Sequence, residues 1–327
     1  MRLANAVNQS FTRYRDTTQN LKRIRVLRRA IQVSGPDGVI SFMDTTNVLT
    51  LLATRGLGMA VIVSERIDPW MYSIGKFWRT LRRWLYPYAD QVVVQSESAR
   101  RYFSQSIQRM TSIVPNPISW PREFQGTFDK VSARHMSIAL GMGRLEEQKG
   151  FDLLLQAFAQ IASDHPDWSL EIWGEGSARP ALEKLRHDLQ LDERVRLPGK
   201  TGQPFQKMQA VDLFVLSSRF EGFPNVLYEA MACGLPAISF DCLSGPGQII
   251  RDGTDGILVP PGDVEALAAA MHRLMSEPAL RQRLAVRAPE VLERFGLKRV
   301  MGMWEAILQQ ATKRRLCPKS PAIENLQ

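Results

Sequence analysis

Residues 211–234, VDLFVLSSRFEGFPNVLYEAMACG, decide the fold. Within the first seven, Val211–Ser217, the run LFVLS does not alternate in polarity, the pattern of a strand buried on both faces. Such strands occur in parallel sheets covered by helices. A loop containing Gly222 follows, and the rest has helical spacing. Pro224 suits the first helical position, where its missing N–H costs nothing. The stretch therefore predicts strand, loop and helix in a doubly wound α/β domain. The free N–H groups of Asn225, Val226 and Leu227 then point out of the helix start. Such an end carries about half a positive charge and binds phosphate. Glu221 sits just before that anion site. Glu229 lies five residues beyond Pro224, about 7–8 Å along the axis at 1.5 Å per residue. Gly222 lets the chain approach a ligand closely. Met231 and Cys233 read as core residues of the helix.

The same alternation runs outward in both directions. Strands are expected at 39–42, 60–64, 91–95, 137–141, 169–173 and 237–241, and helices at 152–162, 179–189, 264–276 and 298–315. The chain has 327 residues, which fits two domains of roughly 150 each. VPNPISWPREF, residues 114–124, carries three prolines and marks a seam. The expected division is 1–125, 126–298, and a terminal helix and tail at 299–327. At 44% hydrophobic and 23% charged, the composition supports an ordinary core. The three cysteines form no metal spacing and no C-x-x-C, which points to a reduced compartment. The N-terminus is polar where a secretory signal is apolar, and no run of 18 apolar residues occurs.

A second stretch with chemistry is GMGRLEEQKGFD, residues 141–152. A strand ends in Gly141 and Gly143, and Arg144 and Lys149 follow. Cations at the C-terminal end of a strand in an open sheet sit where ligands bind. Arg144 offers a bidentate fork to phosphate oxygens and Lys149 a point charge. The alternative is a pair of surface cations. IWGEGSARP (172–180) is glycine-rich after a strand, as fitting for a tight turn as for a ligand loop. SERIDP (64–69) follows a strand in the first half and offers Glu65, Arg66 and Asp68. Arg66 is read either as a substrate cation or as half of a structural ion pair with Asp68.

EGFPNVLYEAMACG resembles the E-x7-E signature of retaining glycosyltransferases of family 4, which have the GT-B fold. The resemblance covers roughly residues 36–300. It implies two Rossmann-like doubly wound domains facing a cleft. It places Glu229 on the ribose of a nucleotide, Glu221 on the hydroxyls of the transferred sugar, and the backbone from Gly222 through Phe223 and Pro224 to Leu227 around sugar and diphosphate. GRLEEQKG resembles the family's G-R-L-x-x-x-K-G element, in which Gly143, Arg144 and Lys149 meet the leaving diphosphate. VRLPGK (195–200) resembles the segment lining the base pocket, with Pro198 and Lys200. Where Gln248 stands the family more often has Glu, and no chemistry is attached to it. SERxDP resembles a branch that assembles lipid-linked surface oligosaccharides. Many family members have a histidine in that loop. Here the four histidines all lie beyond residue 130. No D-x-D occurs, so a metal-dependent arrangement is disfavoured, and neither cofactor nor metal is expected. Family members open with a strand and a Gly-rich loop. Only about 25 residues precede Leu27, so the first sheet is expected to be incomplete at its N-terminus.

The implied activity is retaining transfer of a sugar from a nucleotide diphosphate, a UDP-sugar by resemblance, to a lipid-linked or polysaccharide acceptor. An epimerase of the same fold and a truncated, non-catalytic sugar-nucleotide-binding remnant are the alternatives. Residues 1–110 hold 17 Lys and Arg against 7 Asp and Glu, and the remainder 25 against 26. Such a one-sided excess attracts polyanions, or is a solvated basic face. IGKFWRTLRRWLY (74–86) interleaves Phe77, Trp78, Trp84 and Tyr86 with Lys76, Arg79, Arg82 and Arg83, the pattern of an interfacial helix or of a partly buried one. An anionic membrane is therefore an expected partner, with a cytoplasmic, peripheral location. No nucleic-acid motif accompanies the cations.

Overall fold

The structure is a computed structural model that describes residues 17–71, 73–118 and 136–316. The chain divides into two compact units. One runs up to Pro115 and resumes at Val300, and the other is Asn116–Arg299. The expected boundary at residues 125 and 126 lies outside the described residues. The last helix, expected as a separate terminal piece, is counted with the first unit.

The first unit holds four parallel strands in the order β1-β2-β3-β4: β1 Gly38–Phe42, β2 Ala60–Ser64, β3 Gln91–Val94 and β4 Thr111–Ile113. All five residues of β2 are buried, as its unbroken apolar run requires. Strand side chains alternate between faces. Val61 and Val63 pack with Val92, Val94, Val48, Leu49, Trp78 and Leu85, largely from the helices Asp44–Thr54 and Gly75–Leu85. Ala60, Ile62 and Val93 pack on the other side with Val300, Trp304, Ile307, Leu308 and Ala311 of the helix Leu297–Leu316. Residues 17–26, ahead of Leu27, belong to a helix, Thr17–Ser34, and Arg28 from it donates to Ala53 O (2.9 Å) and Arg55 O (2.8 Å) at the end of Asp44–Thr54.

The second unit is a six-stranded parallel sheet in the order β10-β9-β8-β5-β6-β7. Its strands are β5 Ser137–Met142, β6 Trp168–Trp173, β7 Val195–Gly199, β8 Leu213–Leu216, β9 Ala237–Phe240 and β10 Gly256–Val259. Ala139, Leu213 and Val215 pack on one face with Leu154, Phe158, Leu267 and Met271. Leu140, Phe214 and Leu216 pack on the other with Leu227, Tyr228 and Met231. Successive strands run outward from β5 through β6 to β7, and the chain then returns to β8 on β5's other side. The switch of direction lies between β5 and β8, and at such a point the loops beyond the strand ends part to leave a crevice.

Three strands had no expectation. β4 is three residues long, β10 four, and β7 carries Pro198, which a strand tolerates at an edge. β7 is the edge strand of its sheet. Pro224 is displaced from its expected place. Its ψ of 91° is extended, so it caps the helix Asn225–Ala232 and does not form its first residue.

One charged cluster ties the second unit's last elements together. Asp255 is fully buried. It accepts from Arg251 N (2.7 Å), Arg251 Nε (2.7 Å) and Arg294 Nη2 (3.0 Å), and Arg251 also reaches Glu290 (2.7 Å).

Candidate active site

The loops after β5 and β8 flank the switch point, and each brings a charged side chain to it. Lys149 Nζ donates to Glu221 Oε1 at 2.6 Å, and Ser218 Oγ donates to the same oxygen at 2.7 Å. Both members of the pair are largely shielded from solvent, with side-chain exposures of 14% and 7%. A bond between opposite charges in such a place is short and strong. Gly143 lies under the stem of Lys149, since a Cβ there would be 3.3 Å from Lys149 Cε. Arg144 beside it is exposed. Gly150 has φ +61°, and a Cβ there would sit 2.0 Å from Ser217 O, so the turn carrying Lys149 lies directly on the end of β8.

The helix starts at Asn225, four residues beyond Glu221. Leu227 N already donates to Pro224 O (3.1 Å), so of the three expected donors Asn225 and Val226 remain. Phe223 is buried with its ring against Tyr228 and Phe295, both 5.6 Å away between centroids. Only its backbone is left to meet a ligand. Gly245, at φ +100°, packs against Pro224, where a Cβ would come within 2.5 Å of Pro224 Cδ. Gly222 is half-buried. Glu229 is half-buried on the helix, and burial alone raises its carboxyl above the usual range. Met231 and Cys233 are core residues, as read from the sequence. Burial pushes the Cys233 thiol up to about 12, with a smaller push from Glu229.

Pro198 and Lys200 are exposed at the end of β7. The glycine-rich loop after β6 is laced to its neighbours: Gly174 N donates to Gly199 O (2.8 Å), Leu145 N to Glu175 O (3.0 Å) and Ala178 N to Leu145 O (2.8 Å). Arg179 spans Glu175 (2.8 Å) and Leu197 O (3.2 Å). The ends of β5, β6 and β7 thus form one continuous rim.

Sequence reading passed over Arg219, Asp152 and Gln148. Arg219 Nη1 and Nη2 donate to the two oxygens of Asp152 at 2.8 and 2.6 Å. The only signal was their place: Arg219 lies two residues before Glu221 and Asp152 three after Lys149.

In the first unit all three loop residues make contacts. Glu65 is buried and accepts from the Tyr86 hydroxyl and from Arg82 (3.4 Å). Burial raises its carboxyl, against the opposing pull of Arg82. Arg66 places its guanidinium over the rings of Phe42 (5.2 Å) and Trp304 (5.3 Å). Asp68 is buried and accepts from Trp70 N (2.9 Å).

The aromatic-basic helix Gly75–Leu85 divides its residues between two faces. Trp78, Arg82 and Leu85 are buried, and Tyr86 after it as well. Arg82 is thus no surface cation. It pairs with Glu65 and lies over Tyr102 (4.8 Å) and Phe103 (5.4 Å). The outer face keeps Lys76, Arg79 and Arg83 with Phe77 (61% exposed) and Trp84 (71%). Among the described residues no helix is long and apolar enough to cross a membrane.

With the fold and this geometry in hand, comparison identifies the class. Residues 128–291 match the family Glycosyl transferases group 1, and residues 4–117 match the Glycosyl transferase 4-like domain. The chain belongs to the group 1 glycosyltransferases, and its two parallel-sheet α/β units are of the expected GT-B type. It is 35% identical over 240 residues to an exopolysaccharide phosphotransferase of Streptomyces coelicolor. That match takes in 72% of this chain but 25% of that protein, so the chain spans a quarter of that relative. It is 28% identical to the Campylobacter jejuni GalNAc-alpha-(1->4)-GalNAc-alpha-(1->3)-diNAcBac-PP-undecaprenol alpha-1,4-N-acetyl-D-galactosaminyltransferase, over 91% of this chain and 82% of that one. Among solved structures, HepE of Anabaena in complex with UDP superimposes with a TM-score of 0.76 at 19% identity, covering 87% of this chain and 82% of that one.

Proposed function

We propose that the chain transfers a sugar from a UDP-sugar to a lipid-linked or polysaccharide acceptor with retention at the anomeric carbon. The observation that carries this reading is the Lys149–Glu221 pair at the switch point, next to the helix start at Asn225. The diphosphate is held by Lys149, Arg144 and the N–H groups of Asn225 and Val226. Glu229 takes the ribose, and Pro198 and Lys200 border the base. When donor enters, Lys149 turns to the diphosphate and Glu221 is released to the sugar hydroxyls. The acceptor hydroxyl oxygen attacks the anomeric carbon on the face from which the diphosphate departs. The carbon–oxygen bond to phosphate breaks, its electron pair stays on the phosphate oxygen, and that oxygen takes the acceptor's proton. No side-chain base is required. Lys149 and Arg144 offset the developing charge, the task a metal performs elsewhere. The names of relatives support the choice of ligands: one acts on a PP-undecaprenol-linked saccharide, and another was solved with UDP.

The test is transfer from a panel of UDP-sugars to a membrane lipid extract in the presence of EDTA, with products analysed by mass spectrometry and anomeric NMR. A retained anomeric configuration is expected. Inversion, or donor epimerised without transfer, would overturn the reading. Restoration of a lost activity by manganese would remove the charge-offsetting role of Lys149 and Arg144.

The location belongs to the same proposal. The outer face of Gly75–Leu85 carries three cations beside two exposed aromatic rings. Each cation is worth about 1 kcal/mol near an anionic surface, and salt screens the attraction. The protein is expected to float with vesicles containing anionic lipid, less so at high salt, and Phe77→Ser with Trp84→Ser should abolish flotation. Flotation indifferent to lipid charge and to salt would refute it.

A further inference from the structure

Lys149 and Glu221 are 72 residues apart in the chain, and their loops leave different strands. Their meeting must be built by contacts between those loops. Ser217 Oγ donates to Lys149 O (3.0 Å), and Gln148 Nε2 donates to Phe220 O (3.0 Å). Arg219 supplies the rest. Its backbone N donates to Gln148 O (2.8 Å), and its guanidinium donates to Glu147 O (2.9 Å) and to both oxygens of Asp152. Glu147 and Gln148 precede Lys149, and Asp152 follows it. One side chain therefore grips the turn on both sides of Lys149 while its own backbone leads directly to Glu221.

The fork geometry fixes direction as well as distance. Burial raises the Asp152 carboxyl, but the hydrogen bond and charge of Arg219 outweigh it and hold the carboxyl below its usual range. The pair also keeps the Arg219 charge on Asp152, leaving Glu221 to Lys149 and Ser218.

Resting on the transferase reading above, we propose that Arg219 is a positioning residue. It clamps the Lys149 turn onto the Glu221 loop, so that diphosphate and sugar are held in one alignment. A displacement of about 1 Å in such a site can cost up to about 100-fold in rate.

The test uses the full chain with Arg219→Ala, Arg219→Lys and the exchange of Arg219→Asp with Asp152→Arg. The first readout needs no turnover: the acetylation rate of Lys149, followed by peptide mass spectrometry with exposed Lys298 as internal standard. Lys149 is expected to label several-fold faster in Arg219→Ala and to return toward the wild-type rate in the exchanged pair. The second is kinetic. Arg219→Ala should lower kcat between about 10- and 100-fold, with a smaller change in donor KM, and Arg219→Lys should lie between it and wild type. In a Lys149→Ala background the further loss should largely vanish. Unchanged Lys149 labelling in Arg219→Ala overturns the proposal, and so does an equal kcat loss with and without Lys149. If Arg219→Ala does not fold, the Lys variant and the exchanged pair carry both readouts. Wild-type protein that transfers no sugar sinks the transferase reading, while the labelling still decides whether Arg219 holds Lys149.

Discussion

Glu221→Gln should lower turnover about 100-fold or more while UDP affinity stays close to wild type. The magnitude is that of losing one preorganised polar contact to the reacting group. The carboxylate is buried and held by Lys149 and Ser218, so its charge is fixed in place before substrate arrives. The amide keeps the shape and one acceptor oxygen for Lys149 and Ser218 but loses the charge. Because Glu221 faces the sugar in the proposed arrangement, UDP alone does not report its loss. Glu229→Ala should do the reverse. In the proposed arrangement its carboxylate accepts from the ribose hydroxyls, and removing it costs about 1.5–3 kcal/mol, roughly 10- to 100-fold in UDP affinity. Calorimetry with UDP and steady-state kinetics on both variants separate the two. Parallel losses of affinity and turnover in Glu221→Gln would make that residue structural.

Asp255→Ala is expected to give the largest loss of stability. The carboxylate is fully buried and accepts three hydrogen bonds from Arg251 and Arg294. Removing one partner of a buried ion pair costs about 3–5 kcal/mol. The two arginines retain 39% and 26% side-chain exposure, so water recovers part of that and about 3 kcal/mol is the expected figure. At roughly 2–4 °C per kcal/mol for a unit of this size, the melting transition should fall by about 6–12 °C. Asp255→Asn should lose less, since its oxygen still accepts. Calorimetric melting of the three proteins checks this, and a shift below about 2 °C for Asp255→Ala would show that the cluster contributes little.

The second unit was the more legible. Runs such as LFVLS and AISF read as strands buried on both faces, and β8 and β9 form there. Glu221, Lys149 and the helix start were found because each lies at the end of such a run. Their pairing was not legible. It depends on β5 and β8 lying side by side, which is a property of strand order and not of local spacing. Arg219 escaped notice for the same reason, as its partner Asp152 lies across that junction. In the first unit the periodicity of Gly75–Leu85 was clear, but the choice of inner face was not. Arg82 looks like Arg83 in sequence, and only the buried Glu65 and the rings of Tyr102 and Phe103 set it apart. The stripe Val300, Trp304, Ile307, Leu308 and Ala311 predicts a helix with one apolar side, yet nothing in it says which sheet it covers.

That last helix has a consequence for how the chain is made. Ala60 and Ile62 are covered by residues some 240 positions later in the chain. During synthesis β1 to β4 emerge before that helix, and among the described residues the cover on one side of their sheet is missing until Val300–Ala311 has left the ribosome. The whole second unit, continuous from Asn116 to Arg299, is translated in that interval. At roughly 5–20 residues per second the bare face waits on the order of ten seconds or more, longer than small domains take to fold. The unit begun first is the one finished last, and its exposed Ala60, Ile62 and Val93 are the surface a chaperone has reason to hold meanwhile.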